Sequence, residues 1–202
     1  MDRSLQPRVG SQGLAELSRR ASDGGMGWVE HLVEDAAHGD VHAFERLIEP
    51  HLPRLYRLAA AMVGPEEARD VTQETLVSAW KELRRLERPD RLEPWLRSIL
   101  MNRARNVLRT RRRHPAVQFD LSAGHADRLV HEPMSGLPVH WAVEDALAEL
   151  GPDQRAVVVL HYLADLPLRQ VAATLGLREG TVKSRLHTAL KALRHQFAED
   201  RA

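Results

Sequence analysis

The chain has no cysteine in 202 residues, which excludes a disulfide framework, a thiolate metal site and a thiol redox switch within the chain itself. It has no apolar run of membrane-spanning length and no signal-peptide pattern at its start, so a soluble, cytoplasmic protein without membrane insertion of its own is expected. A strong charge of one sign is missing as well. The net charge of +1 taken alone argues against a nucleic-acid partner. No segment alternates as a strand, which leaves an all-helical protein of one or two small domains. A phosphate-binding glycine loop, a nucleophile elbow and a recognisable catalytic pair are all lacking. No enzymatic activity and no cofactor are expected.

The distribution of charge reverses what the net value suggests. Between Arg97 and Arg113 stand seven arginines (97, 103, 105, 109, 111, 112 and 113) and no acid. Between Arg178 and Arg194, five basic residues face Glu179 alone, a local balance of +4. Two separated basic helices in a nearly neutral chain point to two nucleic-acid contacts, with acidic faces left for another partner.

The most informative stretch runs from Leu166 to Phe197 and reads as helix, tight turn and basic second helix. Val182, Leu186, Ala189, Leu190, Leu193 and Phe197 recur at helical spacing and predict a buried stripe. Lys183, Ser184, His187, Thr188 and Lys191 fall on the opposite stripe, where side chains reach base edges and phosphates from a helix in a major groove. Val171, Ala172 and Leu175 predict the supporting helix, and Gly176 suits the left-handed turn that ends it. A helix-turn-helix that binds DNA is the expectation.

Upstream, residues 1–27 lack periodicity and read as a disordered tail. Met26 is a second candidate start besides Met1. A short helix is expected from Trp28 to Ala36, stopped at Gly39-Asp40. A longer one from about Val41 to Val63 is kinked or split by Pro50 and Pro53, and Gly64-Pro65 ends it and starts the next. The third helix, Glu66 to Leu86, sets Ala68, Val71, Thr75, Leu76, Ala79 and Trp80 against a polar edge of Glu67, Asp70, Gln73 and Glu74. That edge is either an ordinary solvated face or a dock for a positively charged partner. The fourth helix, about Glu93 to Arg112, buries Leu96, Ile99, Leu100, Val107 and Leu108. It also carries Trp95, Asn102, Arg103, Arg105 and Asn106, groups suited to unstacked bases and a phosphate backbone. The plainer reading makes Trp95 core and the arginines merely solubilising.

Residues 114–138, with Pro115, Gly124, Pro133, Gly136 and Pro138, read as a mildly acidic flexible linker. Val143, Ala146, Leu147 and Leu150 open a second bundle, followed by a strongly apolar helix from Val157 to Leu163. The expected architecture is two small helical bundles, 28–113 and 139–197, on a string. His38 and His42, four apart and near Glu45, offer a metal at most two or three ligands, and no metal site is expected.

Three motifs in order carry a family resemblance. The run Asp70-Val71-Thr72-Gln73-Glu74-Thr75-Leu76-Val77-Ser78-Ala79-Trp80, the run Pro94-Trp95-Leu96-Arg97-Ser98-Ile99-Leu100-Met101-Asn102 and the helix start Gly180-Thr181-Val182-Lys183-Ser184-Arg185 resemble a bacterial sigma factor of the extracytoplasmic-function (ECF) group of the sigma-70 family. The resemblance implies promoter-specific transcription initiation with core RNA polymerase, 28–113 serving as region 2 and 139–197 as region 4. It implies that Asp70, Gln73 and Glu74 dock on the β′ clamp helices. The loop Glu87 to Leu92, with Asp90 and Arg91, would capture a base flipped from the −10 element, and Trp95, Asn102, Arg103 and Asn106 would line the melted strand. Lys183, Ser184, His187 and Thr188 would read the −35 element, with Arg178 and Arg185 on phosphates. The β flap and an anti-sigma protein are further implied partners. A free-standing helix-turn-helix regulator of a palindromic operator is the alternative. A nuclease is the third reading, although no carboxylate cluster marks one.

Overall fold

A computed structural model describes residues 25–113 and 145–199. The expected tail up to residue 24 and the expected linker over 114–138 lie outside the described residues. Among the described residues every regular element is helical.

Helix α1 covers Gly25–Ala37, so it begins three residues before Trp28, in a stretch assigned from sequence to the tail. Gly25, Met26 and Gly27 carry no apolar periodicity that could have announced it. Gly39, at φ 104°, turns the chain. Asp40 then caps α2, Val41–Ile48, by accepting from the backbone N–H groups of His42 and Ala43. His38 therefore sits in the turn and His42 in the next helix. They do not share the single helical face on which a two-histidine site would need them. His42 instead faces Glu45 at 3.3 Å.

The expected break at the prolines is present. A 3-10 turn at Glu49–His51 separates α2 from α3, Leu52–Val63. Gly64 then takes φ 93°, and Pro65 opens α4, Pro65–Glu82. A short 3-10 turn, Pro89–Arg91, leads into α5, Leu92–Arg113. Helices α3, α4 and α5 pack on one another through Leu55, Leu58, Met62, Val71, Ala79, Leu96, Leu100 and Met101, all at least nine-tenths buried. Thr72 and Thr75 fit the same seam because their hydroxyls donate to the carbonyls of Ala68 and Val71, each at 2.7 Å.

In the second bundle, residues 145–149 are helical. Helix α6, Pro152–Val158, continues into a π-helical turn at Val159–Leu163. That turn corrects the expected apolar helix. Val157 to Leu160 are buried, but Tyr162 and Leu163 point to solvent, because a turn closed by i to i+5 bonding shifts the register by one residue. Helix α7, Leu168–Leu175, ends at Gly176 in the left-handed conformation, φ 65° and ψ 37°. Helix α8, Glu179–Glu199, completes the described chain. Its buried stripe runs through Val182, Leu186 and Ala189, and Leu190 and Leu193 are partly covered. Phe197 is exposed, contrary to expectation.

The two bundles are not separate beads. Helix α5 packs on α6 and α7, and α3 packs on α6 and on the π-helical turn, so one apolar core runs through both.

This packing generates two predictions. Leu100→Ala removes a fully buried side chain and should cost about 2–5 kcal/mol in denaturant unfolding. Val77→Ala, at an exposed position, should stay within about 0.5 kcal/mol. The second concerns His51, whose imidazole is pushed below its ordinary value by burial, Glu93 opposing the shift and Arg54 adding to it. With the folded pKa lowered, the unfolded chain binds more protons on the acid side of about pH 6.5. This contribution to stability is therefore complete above that pH and declines below it. The melting temperature of the wild type minus that of His51→Gln should fall as the pH is lowered through that range, since only the wild type has an imidazole to charge; parallel curves would refute the assignment.

Candidate nucleic-acid and polymerase interface

Gly176 closes α7 with its N–H directed at the carbonyls of Ala172 and Ala173, and Leu177 N–H donates to Ala172 O at 2.9 Å. This turn sets α8 across α7 with Val182, Leu186 and Ala189 inward. The opposite stripe, Lys183, Ser184, His187 and Thr188, is exposed along its length. Thr188 Oγ1 donates to Ser184 O at 3.0 Å, leaving its methyl and the acceptor side of its hydroxyl outward. Lys183 is within 2.9 Å of Glu179 in a solvent-exposed pair, an interaction worth little and readily exchanged for a phosphate. Arg178 is exposed beside them. Arg185 differs. It turns away from the stripe toward Asp153, at 3.5 Å.

On α5 the expected residues also gather. Trp95, Asn102 and Asn106 are seven and four residues apart, which places them within roughly 40° of one another around the axis. Asn102 and Asn106 are exposed. Trp95 is half-buried and packs on the core, so both sequence readings of this residue hold in part. Arg103 stands at the edge of the stripe, held by Glu74 at 2.6 Å and by Ser78 Oγ at 2.6 Å. Asp90 and Arg91 lie in the 3-10 turn before α5, and Arg88 grips both oxygens of Asp90, at 3.1 and 2.8 Å.

Asp70, Gln73 and Glu74 are set on α4 and, with Val77 and Arg103, line one shallow groove. A mainly polar groove with two carboxylates beside the exposed Val77 suits a positively charged helical surface. The residues expected from sequence to dock on polymerase and Arg103, expected to line the melted strand, thus share a rim.

Sequence reasoning missed what most of the α5 arginines do. Six of the seven make internal contacts. Arg97 pairs with Glu93, Arg103 with Glu74, Arg105 and Arg109 with Asp153, and Arg111 with Glu67, while Arg112 donates to Leu150 O at 2.9 Å. Arg97 and Arg105 are buried, which pulls their guanidinium pKa values down, with Glu93 and Asp153 respectively opposing the fall. The absence of acids within the run hid this, because most of the carboxylates come from other helices.

Among the described residues no cluster of His, Asp or Glu is arranged to hold a metal ion, and no helix is long and apolar enough to cross a membrane.

Comparison with known proteins agrees with the three motifs. Residues 47–114 match the model of sigma-70 region 2, and residues 140–193 match that of sigma-70 region 4. The chain is 32% identical over 171 residues to the ECF RNA polymerase sigma factor SigL of Mycobacterium tuberculosis, covering 83% of this chain and 96% of that one. It is 30% identical over 168 residues to the RNA polymerase sigma-E factor of Streptomyces coelicolor, covering 79% and 88%. Among solved structures it resembles CnrH in complex with the cytosolic domain of CnrY, with a TM-score of 0.60 and 27% identity over 86% of this chain and 99% of that one. It also resembles RpoE of Bartonella quintana in complex with the anti-sigma factor NepR, with a TM-score of 0.59 and 28% identity over 78% and 98%. A helix-turn-helix bundle joined to a region 2 bundle, related over nearly the full length of such proteins, places the chain in the sigma-70 family as an ECF sigma factor.

Proposed function

We propose that this sigma factor reads a bipartite promoter with two separate polar faces, one on each bundle, and opens the DNA at the downstream one. The family carries out promoter-specific transcription initiation through RNA polymerase. The finer assignment rests on one observation: the long exposed polar stripe of α8 is the one that a helix lying in a major groove would present. Lys183, Ser184, His187 and Thr188 read the −35 element there, and Arg178 and Arg185 hold its phosphates.

The α5 stripe of Trp95, Asn102 and Asn106, with Arg103 at its edge, follows the melted −10 strand. An unstacked base costs a few kcal/mol and needs a pocket to offset that; the turn carrying Asp90 and Arg91 supplies it. Asp70, Gln73 and Glu74 dock on the β′ clamp helices, and the second bundle meets the β flap. Catalysis belongs to the polymerase. The factor therefore acts in the cytoplasm, where the polymerase is. By likeness to RpoE in its complex with NepR, an anti-sigma protein covers these docking faces when the factor is idle.

Multi-round transcription with core polymerase on genomic fragments tests the assignment. Core-dependent starts sharing two spaced upstream elements are expected. His187→Ala and Lys183→Ala should change preference at the distal element by roughly 5- to 150-fold, the range for a base contact worth about 1–3 kcal/mol. Asn102→Ala should lower all starts without changing that preference. An absence of core-dependent starts, with tight binding of the free chain to a palindrome, would establish an operator-binding regulator instead.

A further inference from the structure

The carboxylate of Asp153, in the first turn of α6, lies among three guanidinium groups. Arg109 Nη2 donates to its Oδ1 at 2.8 Å, Arg105 Nη1 approaches the same oxygen at 3.4 Å, and Arg185 Nη2 is 3.5 Å from Oδ2. Arg105 and Arg109 belong to the region 2 bundle, Arg185 to the DNA-reading helix. Arg105 also donates to Asn102 Oδ1 at 2.6 Å, engaging the amide assigned to the melted strand. One anion thus gathers side chains from both DNA-facing helices, much as a backbone phosphate would. Around it, Arg112 of α5 donates to Leu150 O, Arg155 of α6 to Ala61 O at 2.8 Å, and Arg54 of α3 to Ala164 O at 2.9 Å.

We propose that the docked bundles are an autoinhibited state of the free sigma factor, latched by Asp153 acting as an internal phosphate mimic. This inference rests on the promoter-reading function proposed above. The closed arrangement and promoter binding exclude each other on geometry. Elements named −10 and −35 lie about 25 base pairs apart, roughly 80 Å of B-DNA at about 3.4 Å per base pair. In the closed form the two DNA-facing helices meet at a single carboxylate. They compete on charge as well, because three of the cations that would displace counterions from DNA already share the one carboxylate of Asp153. The latch is built to release. Arg105 Nε and Arg185 Nη1 are buried without a hydrogen-bond partner, and water would satisfy both once the bundles part.

The cysteine-free chain permits a direct test. Exposed Lys81 of α4 and exposed Ala192 of α8 are replaced, Lys81→Cys and Ala192→Cys, and labelled for energy transfer in the full-length protein. The otherwise unaltered chain should give a single high-efficiency population. Asp153→Arg should shift most molecules to low efficiency, and adding Arg109→Asp should restore high efficiency by re-forming the pair with its charges exchanged. That rescue separates unlatching from damage to α6, which the second substitution could not repair. In salt titrations on double-stranded DNA, the unlatched chain should bind at least about 5-fold tighter at low salt than an Asp35→Arg chain, which makes the same charge change at an exposed site of α1, with a steeper salt dependence as freed arginines displace counterions. A low-efficiency wild type, or an Asp153→Arg chain that stays closed, would overturn the latch. Unlatching without any gain in DNA binding would overturn autoinhibition. The energy-transfer readings need neither DNA nor polymerase, so they stand or fall apart from the promoter assignment, which the transcription assay decides.

Discussion

The architecture depends on one constraint: a guanidinium group taken out of water must find acceptors close at hand, because an unpaired buried charge costs several kcal/mol. Arg97, Arg105 and Arg155 are all more than nine-tenths buried, and what each donates to fixes how the helices sit. Glu93 pairs with Arg97 within α5 and with Arg54 of α3 at 2.8 Å. Arg54 in turn reaches the carbonyl of Ala164, beyond the π-helical turn. A polar chain thus runs from the middle of the first bundle into the second. Arg155 returns the connection by donating to Ala61 O. The apolar residues supply most of the driving force for burial, but they do not specify one docking geometry. The arginines do, since a small displacement would strand several charges at once.

This explains which parts of the molecule are legible in its sequence. Local punctuation is readable because its causes are local. Pro50 and Pro53 cannot continue the preceding helix, Gly64-Pro65 both ends and begins one, and Gly176 takes a backbone conformation that costs other residues more. The exposed stripe of Lys183, Ser184, His187 and Thr188 is readable for the same reason, as the complement of an apolar period. The arginine-rich helix is not. Within its own seventeen residues from Arg97 to Arg113 nothing opposes the charge, and the acceptors lie about as far away in sequence as Asp153 and Leu150. Sequence reasoning therefore assigns to DNA several side chains that the closed structure spends on the second bundle. The exposure of Tyr162 and Leu163 is hidden for another reason, because a five-residue apolar run has no period that separates an α turn from a π turn.

The near-neutral charge of the whole chain then acquires a physical meaning. A DNA-binding protein with its cations exposed would bind any duplex it met, because counterion release does not discriminate sequence. In this molecule the cations next to the reading surfaces are engaged by carboxylates from the same chain, Glu74 for Arg103 and the one carboxylate of Asp153 for Arg105, Arg109 and Arg185. The part of that attraction held by Asp153 is spent internally until something separates the bundles. On separation water replaces each lost hydrogen bond, and what is forfeited is the apolar share of the contact between the bundles. Charge, burial and domain arrangement are in this sense one property. The residues that hold the factor closed are drawn from the helices that read DNA, so opening the protein and arming it are the same event.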